Sequence, residues 1–152
     1  MIRLIISDCD GVLTDGKLYY GAEGEVLKVF NVKDGTAIKA LMSKGVKFGV
    51  VSGRGSAALL RRAEELGLDF CQMNISDKAK AVAALREQYG VAVHETLFVG
   101  DDTNDCVVRS ECGHLYAVND AAQALLEICD VQLKTKGGAG VFKEVLKRIH
   151  GN

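Results

Sequence analysis

Two aspartates, Asp8 and Asp10, come just after the apolar residues 4–6 and Ser7, and they stand before Gly11, where the chain can turn. A short apolar run of this kind predicts a buried strand of a parallel sheet, and ligands bind at the carboxyl ends of such strands. Two nearby carboxylates repel each other unless a cation lies between them or one of them holds a proton. A pair of turn or helix-capping aspartates would show the same spacing, so this segment alone leaves both interpretations open.

Further polar groups follow later apolar runs or open a predicted helix: Ser52, Gly53, Lys78, Asp101, Asp102 and Asp105. Because the carboxyl ends of parallel strands share one edge of a sheet, we expect these groups to converge on Asp8. Carboxylates suit Mg²⁺, while a lysine, a hydroxyl and a glycine amide can hold phosphate oxygens, so the set contains the parts for phosphoryl transfer. Taken singly, Ser52 and Gly53 also fit a plain turn, and Lys78 fits a solvated helix residue.

The composition excludes several classes of partner. The chain has 152 residues and a net charge of −1, so it has no overall basic field that would attract nucleic acid or an anionic membrane. No apolar stretch approaches the roughly 20 residues of a membrane span, and we expect no signal peptide. The five cysteines are scattered without a C-x-x-C pair, which indicates reduced thiols and a cytoplasmic protein.

The elements that position these residues alternate between strand and helix. This alternation predicts an α/β fold with a Rossmann-like, doubly wound and mostly parallel sheet, in a single domain over residues 1–152. A β-hairpin is expected to project at about residues 17–32, around a turn at 21–24, and Asp34 is expected to cap the helix that follows. The hairpin carries too much apolar surface for a lone ribbon, so it is expected either to form an interface or to fold onto its own domain.

The order of the motifs resembles the haloacid dehalogenase superfamily of phosphatases. The matching segments are Asp8-x-Asp10-Gly11-Val12-x-Thr14-Asp15-Gly16, Ser52-Gly53-Arg54, Lys78 and Gly100-Asp101-Asp102-x-x-Asp105. The resemblance implies that Asp8 is a nucleophile forming an aspartyl-phosphate and that Asp10 is the general acid and base. It also implies a Mg²⁺ ion held by Asp8, the Asp10 carbonyl and Asp101.

The same resemblance assigns the remaining groups. Ser52, Gly53 and Lys78 would bind the phosphate, and Asp102 and Asp105 would support the metal waters or Lys78. Only short segments separate the motifs, so no cap domain is expected. Segments around Phe30, Arg54 and Lys78 resemble the 3-deoxy-D-manno-octulosonate 8-phosphate phosphatase group, which implies a capless homotetramer built through the hairpin.

A phosphorylated sugar acid carries a carboxylate as well as a phosphate. Arg54 could bind that carboxylate as a fork, and Lys33 or Lys28 could add a point charge. A glutamate typically stands at the position of Arg54 in the related nine-carbon sugar-acid phosphatases, so Arg54 favours the eight-carbon substrate.

Alternatives are a nine-carbon sugar-acid phosphate, another small phosphoester, or a different class, a receiver-like signalling domain phosphorylated on aspartate. Asp10 and the order of Ser52 and Lys78 speak against the receiver.

Overall fold

A six-stranded parallel sheet forms the centre of the computed structural model, which describes residues 1–151. Its strands are β1 (Leu4–Ser7), β4 (Lys47–Val51), β5 (Phe70–Gln72), β6 (Thr96–Gly100), β7 (His114–Ala117) and β8 (Val131–Gln132). The helices are α1 (Val32–Ser43), α2 (Ala57–Leu66), α3 (Lys78–Tyr89), α4 (Gln123–Ile128) and α5 (Val141–His150), with two 3₁₀ segments at Val93–Glu95 and Thr103–Glu111.

The strand order β5-β4-β1-β6-β7-β8 confirms the doubly wound α/β prediction. From β1 the chain winds outward through β4 and β5, then crosses to the other side of β1 and continues through β6, β7 and β8. Ser7 at the end of β1 pairs with Val50 on one side and Val99 on the other. The carboxyl end of β1 is therefore the point where the winding reverses, which is where α/β sheets place their ligands.

Side chains of the sheet alternate between two buried layers. Ile5 packs into a cluster with residues of α1, α2 and α5, whereas Leu4 and Ile6 pack into a second cluster with residues of α3 and α4. A sheet covered on both faces explains why β1 is buried at every position and why Leu4, Ile5 and Ile6 form a continuous apolar run instead of alternating with polar residues. Helices on both faces fix the ends of the strands, and with them the loops that carry the polar groups.

The expectation that Asp34 caps α1 was wrong. Asn31 is the N-cap, and its side chain accepts a hydrogen bond from the Lys33 amide. Asp34 instead lies buried in the first turn of α1 and accepts a hydrogen bond of 2.8 Å from the Phe142 amide at the start of α5. Its other carboxyl oxygen has no partner, and burial raises the pKa of Asp34 to about 6, against the lowering effect of that hydrogen bond.

A two-stranded antiparallel sheet projects between β1 and α1, as the sequence predicted, but its strands are shorter: β2 is Tyr19–Gly21 and β3 is Gly24–Leu27. We call residues 17–31 the hairpin segment. Within residues 1–151, the only strands and helices between β1 and β4 are β2, β3 and α1, and the only ones between β4 and α3 are α2 and β5. Several apolar side chains of the hairpin segment are exposed, including Tyr20 at 61% and Val26 at 65%.

No helix within residues 1–151 is both long enough and apolar enough to cross a membrane.

Candidate active site

Asp8 lies at the floor of a pocket, immediately after β1. Its backbone amide continues the sheet by donating to the Val99 carbonyl, which fixes the position of the residue. The Oδ1 atom accepts a hydrogen bond of 2.8 Å from the Cys9 amide and lies 3.3 Å from Nζ of Lys78. A buried carboxylate held by an amide and an ammonium on one oxygen keeps its other oxygen available for chemistry.

Lys78 and Asp105 form the buried support behind Asp8. Asp77 caps α3, and Lys78 is the first residue of the helix. Its Nζ atom lies 2.7 Å from Oδ1 of Asp105, whose Oδ2 accepts the backbone amides of Asp101 at 2.9 Å and Asp102 at 3.2 Å. Although burial opposes its charge, the neighbouring carboxylates raise the pKa of Lys78, so the lysine is an ammonium.

Asp101 turns toward the same point from the end of β6. One oxygen each of Asp8, Asp101 and Asp105 lie within 4.8 Å of one another. Both oxygens of Asp105 are already used by Lys78 and by backbone amides, whereas Oδ1 of Asp101 is buried without a hydrogen-bond partner. A buried carboxylate oxygen without a donor is costly unless a cation completes it.

The charges of this cluster support a divalent cation. With all three carboxyl groups ionised, one ammonium faces three carboxylates, and two negative charges are left uncompensated in a buried site. In the protein alone, burial together with the neighbouring carboxylates raises the pKa of Asp8 to about 6 and that of Asp101 to about 9. Hard oxygen donors with this excess charge fit a hard divalent cation, and Asp8 and Asp101 are the residues with an oxygen available to hold it.

Gly11 makes room for Asp101. Its φ of +85° favours glycine, and a Cβ atom placed there would overlap Oδ2 of Asp101. The loop at residues 137–140 supports the other side of Gly11, since Gly137 packs against the Gly11 carbonyl and the Gly138 amide donates to the Val12 carbonyl at 3.0 Å. The loop after β1 is thus clamped between the acidic cluster and the start of α5.

Asp10 lies at the side of the pocket, where the hairpin segment meets it. Its Oδ1 atom accepts a hydrogen bond of 2.7 Å from Nζ of Lys28, which also bonds Oε2 of Glu25 at 3.0 Å. Nε of Arg54 lies 3.8 Å from Oδ2 of Asp10, and its Nη2 donates to the Tyr20 hydroxyl at 3.3 Å. Although burial opposes the charge, the bonds to Asp10 and Glu25 raise the pKa of Lys28.

Ser52 and Gly53 close the opposite side. Ser52 is buried after β4, and its hydroxyl accepts the Arg54 amide at 3.3 Å, which leaves the hydroxyl proton free to donate into the pocket. Gly53 brings backbone to the same wall. The pocket has a volume of about 260 Å³ and is lined by Asp8, Asp10, Gly16, Leu18, Ser52, Gly53, Arg54, Lys78, Asp101, Asp102 and Asn104.

The structure brings most of the predicted residues together at this pocket. Asp105 lies directly behind it as support, and Asp102 caps the following 3₁₀ segment through the Thr103 amide while lining the rim. Lys33 lies elsewhere, in a separate basic groove with Lys134 and Lys143 beside the start of α5. Within one chain, Arg54 is therefore brought to the pocket and Lys33 is not.

Three contributors were missed. Glu25 and Tyr20 of the hairpin segment contact Lys28 and Arg54, and Asn104 lines the rim. The signal for Asn104 was its place among the acids after β6. The hairpin contacts gave no such signal, because the exposure of its apolar residues, which turns the charged side chains toward the domain, is seen only in the structure.

Comparison with known proteins agrees with this geometry. Two family profiles described as haloacid dehalogenase-like hydrolase match residues 24–108 and 73–145. The 3-deoxy-D-manno-octulosonate 8-phosphate phosphatase of Haemophilus influenzae is 41% identical over 148 residues, which is 97% of this chain and 82% of that protein. The phosphatase of the same name from Yersinia pestis is 37% identical, over 97% of this chain and 79% of that protein.

Solved structures are similarly close. The cobalt-bound phosphatase from H. influenzae superposes with a TM-score of 0.94 at 40% identity, over 97% of this chain and 86% of that one. The Moraxella catarrhalis phosphatase, solved with magnesium, phosphate and KDO, superposes with a TM-score of 0.93 at 32% identity, over 97% of this chain and 85% of that one. The predicted resemblance is confirmed. The chain therefore belongs to the haloacid dehalogenase-like hydrolases, and it is a phosphatase.

Proposed function

We propose that this phosphatase hydrolyses a phosphorylated sugar acid, 3-deoxy-D-manno-octulosonate 8-phosphate, through a phosphate ester of its own Asp8. The observation that carries the proposal is the placement of Asp8 beside Lys78 at the floor of a pocket that Asp10 and Ser52 also line. A nucleophile, a proton donor and two phosphate ligands are the groups that such a displacement requires.

The reaction divides into two displacements at phosphorus. In the first, a carboxylate oxygen of Asp8 forms a bond to phosphorus while the bond to the sugar oxygen breaks, and Asp10 gives its proton to that oxygen. In the second, water attacks the phosphorus of the aspartyl-phosphate, Asp10 takes a proton from the water, and Asp8 leaves as a carboxylate. Lys78, the Ser52 hydroxyl and the Gly53 amide bind the phosphoryl oxygens and neutralise their charge.

Asp8 and Asp101, with the Asp10 carbonyl, are the groups that would hold Mg²⁺. A bound Mg²⁺ ion would neutralise the carboxylates and the phosphoryl oxygens, which otherwise repel each other. Asp105 supports this arrangement indirectly, because it fixes Lys78 and the backbone amides of Asp101 and Asp102.

The sugar-acid substrate is supported by Arg54 and by the relatives. Arg54 lies at the mouth of the pocket with its side chain 45% exposed, so its guanidinium can accept a carboxylate. The phosphatases from H. influenzae and Y. pestis carry the name of the eight-carbon substrate. Lys33 would reach a substrate only from a neighbouring subunit, so its role stays a prediction.

Assembly through the hairpin segment is part of the proposal. Its exposed apolar side chains suit an interface between copies of the chain, and we propose a homotetramer of single-domain subunits in the cytoplasm. The walls that a capless pocket lacks would come from neighbouring subunits.

Phosphate release from a panel of phosphorylated sugar acids, with Mg²⁺ or with a chelator, tests the proposal. We expect the eight-carbon substrate to have the highest kcat/KM, and Asp8→Asn and Asp10→Asn to lose turnover with Mg²⁺ present. The matched control is Glu64→Gln, an exposed change on α2. A preference for the nine-carbon substrate would contradict the substrate assignment, and phosphate that stays on the protein for hours would indicate a receiver.

A further inference from the structure

The hairpin segment has an inverted burial pattern. Lys28 has a side chain that is only 3% exposed, whereas the neighbouring Val26 and Val29 are 65% and 54% exposed. A buried ammonium is costly unless it is paired and hydrogen-bonded. The Lys28 ammonium therefore needs an acidic partner on the side of the hairpin that faces the domain.

That partner is Asp10. Nζ of Lys28 donates to Oδ1 of Asp10 at 2.7 Å. Within residues 1–151, this is the one hydrogen bond that the Asp10 carboxyl accepts. Glu25, three residues earlier, holds the same ammonium at 3.0 Å, so the lysine cannot swing away from the pocket without losing both bonds.

Arg54 completes the arrangement from the other side. Its guanidinium lies 3.8 Å from Oδ2 of Asp10 and 4.0 Å from Oε2 of Glu25, which gives two acids and two bases around one point. Asp10 is therefore oriented by side chains from the hairpin segment and from the loop after β4, and not by its own loop alone.

We propose that Lys28 is a positioning residue, which holds the carboxyl of Asp10 in place for proton transfer to the leaving group. The inference deepens the proposed function and rests on it, since it assigns no role to Lys28 unless Asp10 is the acid. It makes the hairpin segment a working part of the active site of its own subunit, in addition to any role in assembly.

A series of para-substituted aryl phosphates tests the proposal, because its members share a shape and differ in how much their leaving group needs a proton. We expect Lys28→Met to lower kcat/KM for phenyl phosphate at least about 10-fold, a share of the 10²–10⁴-fold that general acids supply. For p-nitrophenyl phosphate, whose leaving group departs as an anion, the change should be less than about threefold. The dependence on leaving group thus becomes steeper. Lys17→Met, an exposed lysine of the same segment at 75%, should leave the dependence unchanged.

Further variants guard against a folding defect. Lys28→Arg keeps the charge, so its kcat/KM should depend on the leaving group less steeply than that of Lys28→Met. Glu25→Gln should also steepen this dependence less than Lys28→Met does. Thermal unfolding and the solution mass of each variant establish that the fold and the assembly are intact.

The outcomes separate the two proposals. An equal loss across the series, or no loss, in Lys28→Met would overturn the positioning role. If Asp10→Asn steepens the dependence and Lys28→Met does not, the proposed function stands and this inference fails. If Asp10→Asn leaves the dependence unchanged, the acid assignment fails, and the role of Lys28 fails with it.

Discussion

Replacing Lys78 by methionine tests whether the folded protein needs an ammonium to stabilise the buried acids at the sheet edge. The Lys78 side chain is 4% exposed and bridges Asp105 at 2.7 Å and Asp8 at 3.3 Å, and the Asp105 side chain is fully buried. Methionine has a similar length and fills the same space, so the change removes mainly the charge and its hydrogen bonds.

The expected loss is about 3–5 kcal/mol of unfolding free energy, the range for removing one member of a buried ion pair. The penalty arises from the carboxylate that is left behind, not from the lost contact itself. Asp105→Asn removes that charge while its amide oxygen can still accept the backbone amides of Asp101 and Asp102. The double variant should therefore recover at least about 2 kcal/mol relative to the sum of the single changes.

Urea unfolding in the presence of a chelator, at one pH, gives the four free energies of this cycle. Lys80→Met, an exposed change two residues further along α3, is the matched control and should lie within about 0.5 kcal/mol of the wild type. A loss in Lys78→Met no larger than in this control, or additive effects in the double variant, would refute the reasoning.

Three further predictions concern the surroundings of the site. The folded pKa of Asp34, about 6, lies above its ordinary 3.8, so this carboxyl costs stability as the pH rises from about 4 through 6, by at most about 3 kcal/mol. Urea unfolding should show Asp34→Asn gaining on the wild type over that window, and parallel pH profiles would contradict this. Gly11→Ala should weaken Mg²⁺ binding, measured by calorimetry, because the added Cβ displaces Asp101. The control Gly45→Ala, at φ +88° in open space, should bring only backbone strain of about 1–2 kcal/mol. Equal Mg²⁺ affinity in the two variants would contradict this prediction. Val26→Lys on the hairpin segment should lower the solution mass below that of a tetramer, and an unchanged mass would remove this face from the interface.

Much of the site could be predicted from the sequence because the topology of a parallel sheet determines where its residues lie. Asp8, Ser52 and Asp101 each follow an apolar strand, and parallel strands bring their carboxyl ends to one edge whatever the details of packing. The turn at Gly11 could also be predicted, since it depends only on nearby residues.

The hairpin and Asp34 depend on contacts that local patterns do not contain. The two strands have three and four residues, with a register irregularity between Tyr19 and Tyr20, so alternation could not reveal that Lys28 faces the domain. Asn31 and Asp34 are both residues that cap helices, and what separates them is the Phe142 amide, 108 positions away from Asp34. Lys33 was predicted to bind the substrate because its segment resembles the phosphatase group. The packing of α1 against α5 instead places Lys33 in the groove beside α5.

The most direct test of the account is to trap the phosphorylated enzyme during turnover. Borohydride reduces an aspartyl-phosphate to homoserine, so peptide mapping by mass spectrometry after rapid quenching identifies the residue that carried the phosphate. We predict homoserine at position 8 only when substrate and Mg²⁺ are both present, and none in Asp8→Asn. Turnover without reduction at Asp8, or reduction at another carboxylate, would contradict the central claim that Asp8 is the nucleophile.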